Sequence, residues 1–157
     1  MQKITPFLWF DSEAEEAARF YSTIFKNSGI LQVTRYDEEG AKQTNRPRGS
    51  VMTVVFELEG QNFVAINAGP VFKFTEAISF VVNCDSQEEI DYYWNKLSEG
   101  GDPAAQQCGW LKDKYGLSWQ VVPSALGELM KDPEKGARVM KALLQMKKLD
   151  LKTLQNA

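Results

Sequence analysis

The sequence predicts an α+β fold made of two consecutive β-α-β-β-β modules and a C-terminal helical tail. The first observation is an internal repeat, because residues 4–12 with Glu15 resemble residues 78–86 with Glu89. In each copy an apolar strand runs into a Ser-x-x-Glu capping box, which is typical of a helix N-terminus. Apolar side chains at helical spacing follow each box, and an apolar tail begins near residue 124. Two modules with open apolar faces are expected to enclose a binding cleft.

The first module reads in the order strand, helix, strand, hairpin. Residues 12–26 predict a helix with an apolar stripe, and residues 27–29 end it. Residues 30–36 predict a strand, followed by an acidic turn at 37–40. The polar segment 41–50 is either a lid that pairs with an anionic substrate or a plain solvated loop. Residues 52–59 and 61–68 predict a hairpin around Gly60.

The second module is expected to repeat this order. A crossover beginning at residues 69–70 leads to a strand near 76–84, and a helix follows that stops at Gly100 and Gly101. Three short strands fit residues 104–107, 109–114 and 117–122. The predicted boundaries are therefore 1–69 for the first module, 70–123 for the second and 124–157 for the tail, within one compact domain.

The tail carries too many apolar side chains at helical spacing to remain in water. We expect it to pack on the body of the protein or on a partner subunit. These side chains are Val139, Met140, Leu143, Leu144, Met146, Leu149, Leu151 and Leu154.

Composition excludes several function classes. With 43% apolar and 25% charged residues among 157, the chain matches an ordinary globular protein, and its apolar runs are too short to span a membrane. No signal peptide precedes the first strand, so we expect a cytoplasmic location. A net charge of −3 and a pI of about 5.1 argue against a nucleic-acid partner.

The chain contains no histidine, which limits its chemistry. A general-base histidine, the Ser-His-Asp triad, the Cys-His dyad and His-containing metal sites are therefore excluded. Its two cysteines, Cys84 and Cys108, are expected to be buried thiols rather than a disulfide in a reducing compartment.

The repeated module order resembles the vicinal oxygen chelate superfamily, which includes glyoxalase I, extradiol dioxygenases and bleomycin-resistance proteins. Three segments, residues 6–8 with 14–21, 108–123 and 146–151, resemble its PhnB-like branch in particular. The resemblance implies two curled sheets that form an open U-shaped barrel around a pocket, and a homodimer. Members are often labelled 3-demethylubiquinone-9 3-methyltransferases. No strand here runs through a glycine-rich turn into a helix, so we do not expect a Rossmann-like methyltransferase.

The resemblance also implies where a metal would bind. The metal-ligand positions of the superfamily fall on Thr5, Phe63, Ser79 and Gln120, none of which is a histidine or a carboxylate. An amide and two hydroxyls are poor ligands for a first-row metal, so we expect no metal cofactor. Glu76 and Gln120 are the alternative metal ligands.

The same positions predict a ligand pocket. Residues i and i+2 of a strand share a face, so we expect Thr5, Phe7 and Trp9 to line the cleft together. The same reasoning groups Phe63 with Ala65 and Asn67, and Ser118 with Gln120 and Val122. The predicted ligand-binding residues are Thr5, Phe7, Trp9, Phe63, Asn67, Ser79, Trp110 and Gln120. The alternative is that Phe7, Trp9 and Phe63 fill a closed core.

Three neighbouring residues have simpler interpretations. Trp119 should point toward the helices, opposite to Gln120, whereas Trp110 could face either side. Asp113 is best explained as a turn residue that bonds its own backbone.

Three hypotheses for function remain at this point. The first is a metal-independent protein that binds a small molecule, as bleomycin-resistance proteins do. The second is a metal-dependent lyase, isomerase or dioxygenase-type enzyme acting on a vicinally oxygenated substrate. The third is an interaction protein whose exposed tail helix is the working surface.

Overall fold

The computed structural model describes residues 2–157. The chain divides into two compact units, the first ending at Lys73 and the second spanning Phe74–Ala157. Each unit contains one open sheet with helices packed on it.

The first unit has the predicted strand and helix order with one added helix. Its elements are β1 (Phe7–Phe10), α1 (Ala14–Ile24), β2 (Gly29–Arg35), α2 (Glu38–Thr44), β3 (Val51–Leu58) and β4 (Gln61–Asn67). The four strands lie in the order β1-β4-β3-β2. The β1–β4 pair is parallel, and the other two pairs are antiparallel. The predicted hairpin is confirmed, with Leu58 paired to Gln61 across a turn whose residues Glu59 and Gly60 both have positive φ.

Helix α1 packs on the first sheet through its predicted apolar stripe. The side chains of Ala14, Ala17, Ala18, Tyr21 and Ile24 are all buried. The Tyr21 ring stacks on Phe56 at 6.3 Å between centroids. Phe56 in turn stacks on Phe63 at 5.4 Å. These contacts make this face of the sheet the core of the first unit.

The capping box predicted at the start of α1 is wrong. The helix begins at Ala14, and its N-cap residue is Glu13 rather than Ser12, with no capping bond from the Glu13 side chain. Instead the Ala14 amide donates to Oδ1 of Asn67, at 2.8 Å. The free amide of the helix is therefore satisfied by a side chain distant in sequence, which a local motif does not reveal.

Helix α2 replaces the predicted acidic turn and part of the polar loop. Asp37 caps it by accepting from the Gly40 amide at 2.7 Å. Glu38 and Glu39 in the first turn stabilise the helix, because their negative charges lie near the positive end of the helix dipole. In the segment that follows, Arg46 donates to the Asp11 carbonyl at 3.0 Å, so its guanidinium is held by the protein itself.

The second unit has three strands rather than the predicted four. Its elements are β5 (Phe80–Cys84), α3 (Gln87–Ser98), β6 (Trp110–Lys112), β7 (Ser118–Pro123), α4 (Leu126–Leu129), α5 (Pro133–Leu143) and α6 (Leu151–Gln155). The sheet order is β5-β7-β6, with β5 and β7 parallel. The strand predicted at 104–107 is wrong, because Asp102 and Pro103 start a short 3₁₀ turn over Pro103–Ala105.

The second capping box is confirmed at α3. Ser86 Oγ accepts from the Glu89 amide at 3.2 Å, and the Glu89 carboxylate accepts from the Asp85 amide at 2.7 Å. The helix ends at Ser98, before Gly100 and Gly101 as predicted. A Cβ at Gly101 would lie 2.1 Å from the Lys112 carbonyl oxygen, so only glycine fits there.

The apolar tail packs on the second unit. Val139, Leu143, Leu149 and Leu154 form a buried cluster. The amides of Cys108 and Gly109 donate to the Met146 and Lys147 carbonyls, each at 2.8 Å. The tail is thus part of the second unit, and packing on this unit buries most of the apolar surface of the tail.

Candidate functional site

Strand alternation divides the second sheet into a helix face and an open face. Trp119, Phe80 and Leu111 are paired neighbours on the helix face, and Trp119 is 3% exposed. The prediction that Trp119 belongs to the core is confirmed. On the open face Gln120 is paired with Trp110, and Ser118 is paired with Lys112.

A cleft of about 640 Å³ lies over this open face. We call it the β7 cleft. Strands β6 and β7 supply one wall, and the end of α5 with Leu126 supplies another. Its lining residues are Glu76, Ala105, Gln107, Cys108, Trp110, Leu111, Lys112, Ser118, Gln120, Val122, Leu126, Leu143 and Leu144. The volume is that of a site for a small organic molecule.

Two predicted ligand-binding residues are joined by a hydrogen bond beside this cleft. Nε2 of Gln120 donates to Oγ of Ser79 at 3.0 Å. Ser79 precedes β5, and Gln120 lies in the middle of β7. The bond fixes the orientation of the amide, so that Oε1 remains an acceptor at the cleft wall.

Trp110 lies on the cleft side, which resolves the alternative left open by the sequence. Its backbone exchanges two hydrogen bonds with Gln107, of 2.8 and 3.1 Å. The indole is half-buried. It gives the cleft an aromatic surface against which an apolar ligand can pack.

Lys112 and Glu76 form an ion pair at one end of the cleft. The Lys112 side chain is 29% exposed, whereas that of Glu76 is 62% exposed. The hydrogen bond from the Lys112 ammonium holds the pKa of Glu76 below its ordinary value. The sequence revealed Glu76 only as a metal alternative, and it gave no signal for the pairing with Lys112.

Ser118 contributes a buried hydroxyl to the same wall. The residue is 1% exposed, and its Oγ has no hydrogen-bond partner among residues 2–157. A buried polar group without a partner is uncommon in folded proteins and costs free energy.

Asp113 closes the turn between β6 and β7 and is 2% exposed. Its Oδ1 accepts from the amides of Tyr115 and Leu117, at 2.9 and 3.1 Å. The prediction of a turn residue is confirmed. Its Oδ2 also accepts from Nε1 of Trp119 at 2.9 Å, a contact that the sequence did not predict.

In the first unit the predicted pocket residues lie on opposite faces of the sheet. Phe7 and Trp9 of β1 are paired with Val64 and Ile66 of β4, whereas Phe63 and Asn67 belong to the alternate set. The prediction that Phe63 and Asn67 line a cleft with Phe7 and Trp9 is therefore wrong.

Phe63 and Asn67 face helix α1, and both are buried. Asn67 caps α1. Phe63 stacks on Phe56 in the aromatic core, which is what the alternative of a closed core predicts for this residue. On the other face Phe7 is 60% exposed, and Thr5 is also exposed. Trp9 is half-buried, and its Nε1 donates to the Gly69 carbonyl at 2.9 Å.

The residues at the expected metal positions do not fit a metal ion. Phe63 offers no donor atom, and Ser79 and Gln120 bond to each other. Glu76 forms an ion pair with Lys112. Within residues 2–157 no three Cys, Asp or Glu side chains are grouped as metal ligands would be. An amide and hydroxyl donor set binds first-row metals only weakly.

The two cysteines have different environments, and both are free thiols. Cys84 is 1% exposed, and burial, with Glu89 and Asp85 nearby, raises the pKa of its thiol to about 12. Cys108 is only half-buried and lines the β7 cleft, so the prediction of two buried thiols is wrong for Cys108.

Across residues 2–157, no helix combines the length and the apolar composition needed to cross a bilayer.

Comparison with known structures identifies the class of fold. A glyoxylase/bleomycin resistance protein/dioxygenase domain from Frankia sp. matches with a TM-score of 0.50 at 13% identity, over 78% of this chain and 92% of that one. The fosfomycin resistance protein FosX from Listeria monocytogenes matches with a TM-score of 0.56 at 15% identity, over 83% and 98% of the two chains. The chain therefore has the fold of glyoxalase/bleomycin-resistance proteins, and the predicted α+β, glyoxalase-like fold is confirmed.

A closer likeness specifies the family within this class. The family model for 3-demethylubiquinone-9 3-methyltransferase matches residues 2–122. A PhnB protein from Bacillus cereus, described as a 3-demethylubiquinone-9 3-methyltransferase, is 41% identical with a TM-score of 0.66, over 78% of this chain and 99% of that one. The chain thus belongs to this PhnB-like family. No curated protein matches it.

Proposed function

We propose that this chain is a metal-independent protein that binds a small organic molecule in the β7 cleft. The observation that carries the proposal is the composition of the cleft wall. An aromatic side chain, Trp110, and the aliphatic side chains of Val122, Leu126, Leu143 and Leu144 surround a few polar groups. Sites for small molecules commonly combine apolar walls with a few polar groups in this way.

The apolar wall supplies affinity, and the polar groups supply orientation. When an apolar ligand packs against Trp110 and the leucines of the cleft wall, apolar surface of both is removed from water, which favours binding. Oε1 of Gln120 is held in place by the bond from Nε2 to Ser79, so it can accept from a ligand N–H or O–H group without losing side-chain freedom on binding.

Metal independence rests on donor chemistry. The side chains at the expected ligand positions are two hydroxyls, an amide and a phenyl ring, which bind first-row metals weakly or not at all. A metal-dependent lyase, isomerase or dioxygenase is the second candidate, because Glu76 and Gln120 line the same cleft. That candidate requires further ligands beside Glu76 and Gln120, and within residues 2–157 no three Cys, Asp or Glu side chains are grouped as metal ligands would be.

The family description as a methyltransferase has little support from this chain. Among residues 2–157 neither β1 nor β5 runs through a glycine-rich turn into the helix that follows it. Such a turn is the usual means by which a Rossmann-like fold holds a nucleotide cofactor. A homodimer and a cytoplasmic location stay predictions from the sequence.

The test combines elemental analysis with ligand titration. We expect the purified protein to contain no stoichiometric metal, and Ni, Zn, Mn and Mg ions to leave the melting temperature unchanged. The fluorescent apolar probe N-phenylnaphthylamine should raise the melting temperature in a saturable way, because it binds the native state. A stoichiometric metal, or a large saturable shift with one of the ions, would overturn the proposal in favour of the enzyme.

Two matched variants locate the binding site. Leu144 is 51% exposed and lines the cleft, so Leu144→Trp should fill it without disturbing the core. Met140 lies one turn earlier on α5, is 40% exposed and does not line the cleft. We expect the probe to bind Met140→Trp normally and to lose about tenfold or more in affinity for Leu144→Trp. Equal binding to both variants would place the probe elsewhere.

A further inference from the structure

We propose that the ligand of the β7 cleft is an organic acid, and that its anionic group binds Lys112 and Ser118 in the place where the Glu76 carboxylate lies in this structure. This inference rests on the proposed function, since it specifies the ligand class for the same cleft. It assigns Lys112 and Ser118 as residues that determine specificity.

The first argument is the position of Lys112. It is the one basic residue among those that line the cleft within residues 2–157. Its backbone belongs to β6, which is hydrogen-bonded to β7, so the ammonium extends from a rigid element. A cation in such a place next to an apolar wall favours a ligand that is apolar at one end and negatively charged at the other.

The second argument is the unpaired hydroxyl of Ser118. Ser118 lies directly opposite Lys112 in the antiparallel β6–β7 pair, so the two side chains share the open face. Its Oγ is buried and has no partner in the described chain. A hydroxyl can donate to a carboxylate or sulfonate oxygen, so a bound anion would satisfy the hydrogen-bonding capacity of Ser118 Oγ.

The third argument is that Glu76 can leave. It lies in the crossover between β4 and β5, outside any helix or strand, and its side chain is 62% exposed. An ion pair of this exposure is weak, because water and salt screen it. The Glu76 carboxylate thus marks where an anion sits against Lys112, and it is held too weakly to keep a ligand out.

The test compares two probes that differ in one charged group. Anilinonaphthalene sulfonate is N-phenylnaphthylamine with a sulfonate added, and both fluoresce when they bind an apolar site. We expect the wild-type protein to bind the sulfonate more tightly than the neutral probe, and this preference should decline as salt is added.

Two substitutions separate charge from shape. Lys112→Met keeps the aliphatic stem and should weaken sulfonate binding about tenfold while changing the affinity of the neutral probe less than twofold. Glu76→Gln should tighten sulfonate binding about threefold, because the competing carboxylate is removed.

The control pair is Lys148 and Asp91, an ion pair of 2.8 Å whose residues do not line the cleft. Lys148→Met and Asp91→Asn should leave both probes unaffected. One result would overturn the inference and leave the proposed function intact. In that result the neutral probe binds the cleft, and Lys112→Met either lowers the affinity for both probes equally or changes neither affinity. If neither probe binds the wild-type protein, the proposed function fails as well.

Discussion

The carboxylate of Asp113 accepts a hydrogen bond of 2.9 Å from the indole nitrogen of Trp119. The same carboxylate holds the turn between β6 and β7, so one buried side chain ties the turn to the core. Because Gln120 follows Trp119 in the strand, this contact also fixes which residues of β7 face the cleft.

The first prediction concerns the stability that Asp113 supplies. Asp113→Ala leaves the indole N–H and two amides without their acceptor, so the free energy of unfolding should fall by about 3 kcal/mol. Asp113→Asn should lose less, because the amide oxygen can still accept from the turn. Asp91→Ala, a control at a half-exposed ion pair with Lys148, should cost less than about 1 kcal/mol. Urea denaturation measures all three, and equal losses for Asp113→Ala and Asp91→Ala would contradict the assignment.

The second prediction concerns the unpaired hydroxyl of Ser118. Ser118→Ala removes a buried polar atom that has no partner, so it should raise the free energy of unfolding by about 1 kcal/mol. Ser79→Ala removes the acceptor of Gln120 and should lower it instead. The organic-acid proposal adds that Ser118→Ala binds the sulfonate probe less tightly although it is more stable. A destabilised Ser118→Ala protein would show that the hydroxyl has a partner in the folded state.

The third prediction uses the position of Cys108. This half-buried thiol lines the β7 cleft, whereas Cys84 is 1% exposed. Maleimide should therefore label Cys108 in the native protein and reach Cys84 only after unfolding. Saturating N-phenylnaphthylamine should slow the labelling of Cys108 in the wild-type protein but not in Leu144→Trp. Mass spectrometry of the labelled peptides gives both rates, and an unchanged rate at Cys108 would mean that the probe binds elsewhere.

The fourth prediction concerns alkaline pH. Burial raises the pKa of Cys84 from an ordinary value near 9.0 to about 12. The unfolded chain therefore loses the Cys84 proton first, so the stability from this residue is complete below pH 9 and declines as pH rises toward 12. Cys84→Ala should show a shallower decline in the free energy of unfolding across this range than the wild-type protein. Parallel declines would show that Cys84 does not carry the dependence.

Local patterns in the sequence predicted much of the second unit correctly. The Ser86 capping box, the alternation of Trp119 and Gln120, and the turn at Asp113 each depend on residues within a few positions. Short-range sterics and hydrogen bonds fix such features, so they can be recognised without tertiary information.

The errors have a common physical origin in long-range contacts. The sequence pattern predicts the wrong face for Phe63 and Asn67, because the pairing of β1 with β4 decides the face and a shift of one residue reverses it. The cap of α1 comes from Asn67, far along the chain. Leu143 and Leu144 complete the cleft only because the tail docks on the second unit, and the apolar pattern of the tail does not show where it docks.

The measurement that tests the central claim most directly is a nitrogen-15 NMR titration of the full chain with N-phenylnaphthylamine. We expect saturable shift changes at the Trp110 indole N–H, the Gln120 side-chain amide and the Leu144 backbone amide, which all belong to residues lining the β7 cleft. Changes confined to the first sheet, for example at Trp9 and Ile66, or no saturable changes at all, would contradict the assignment of the β7 cleft as a small-molecule site.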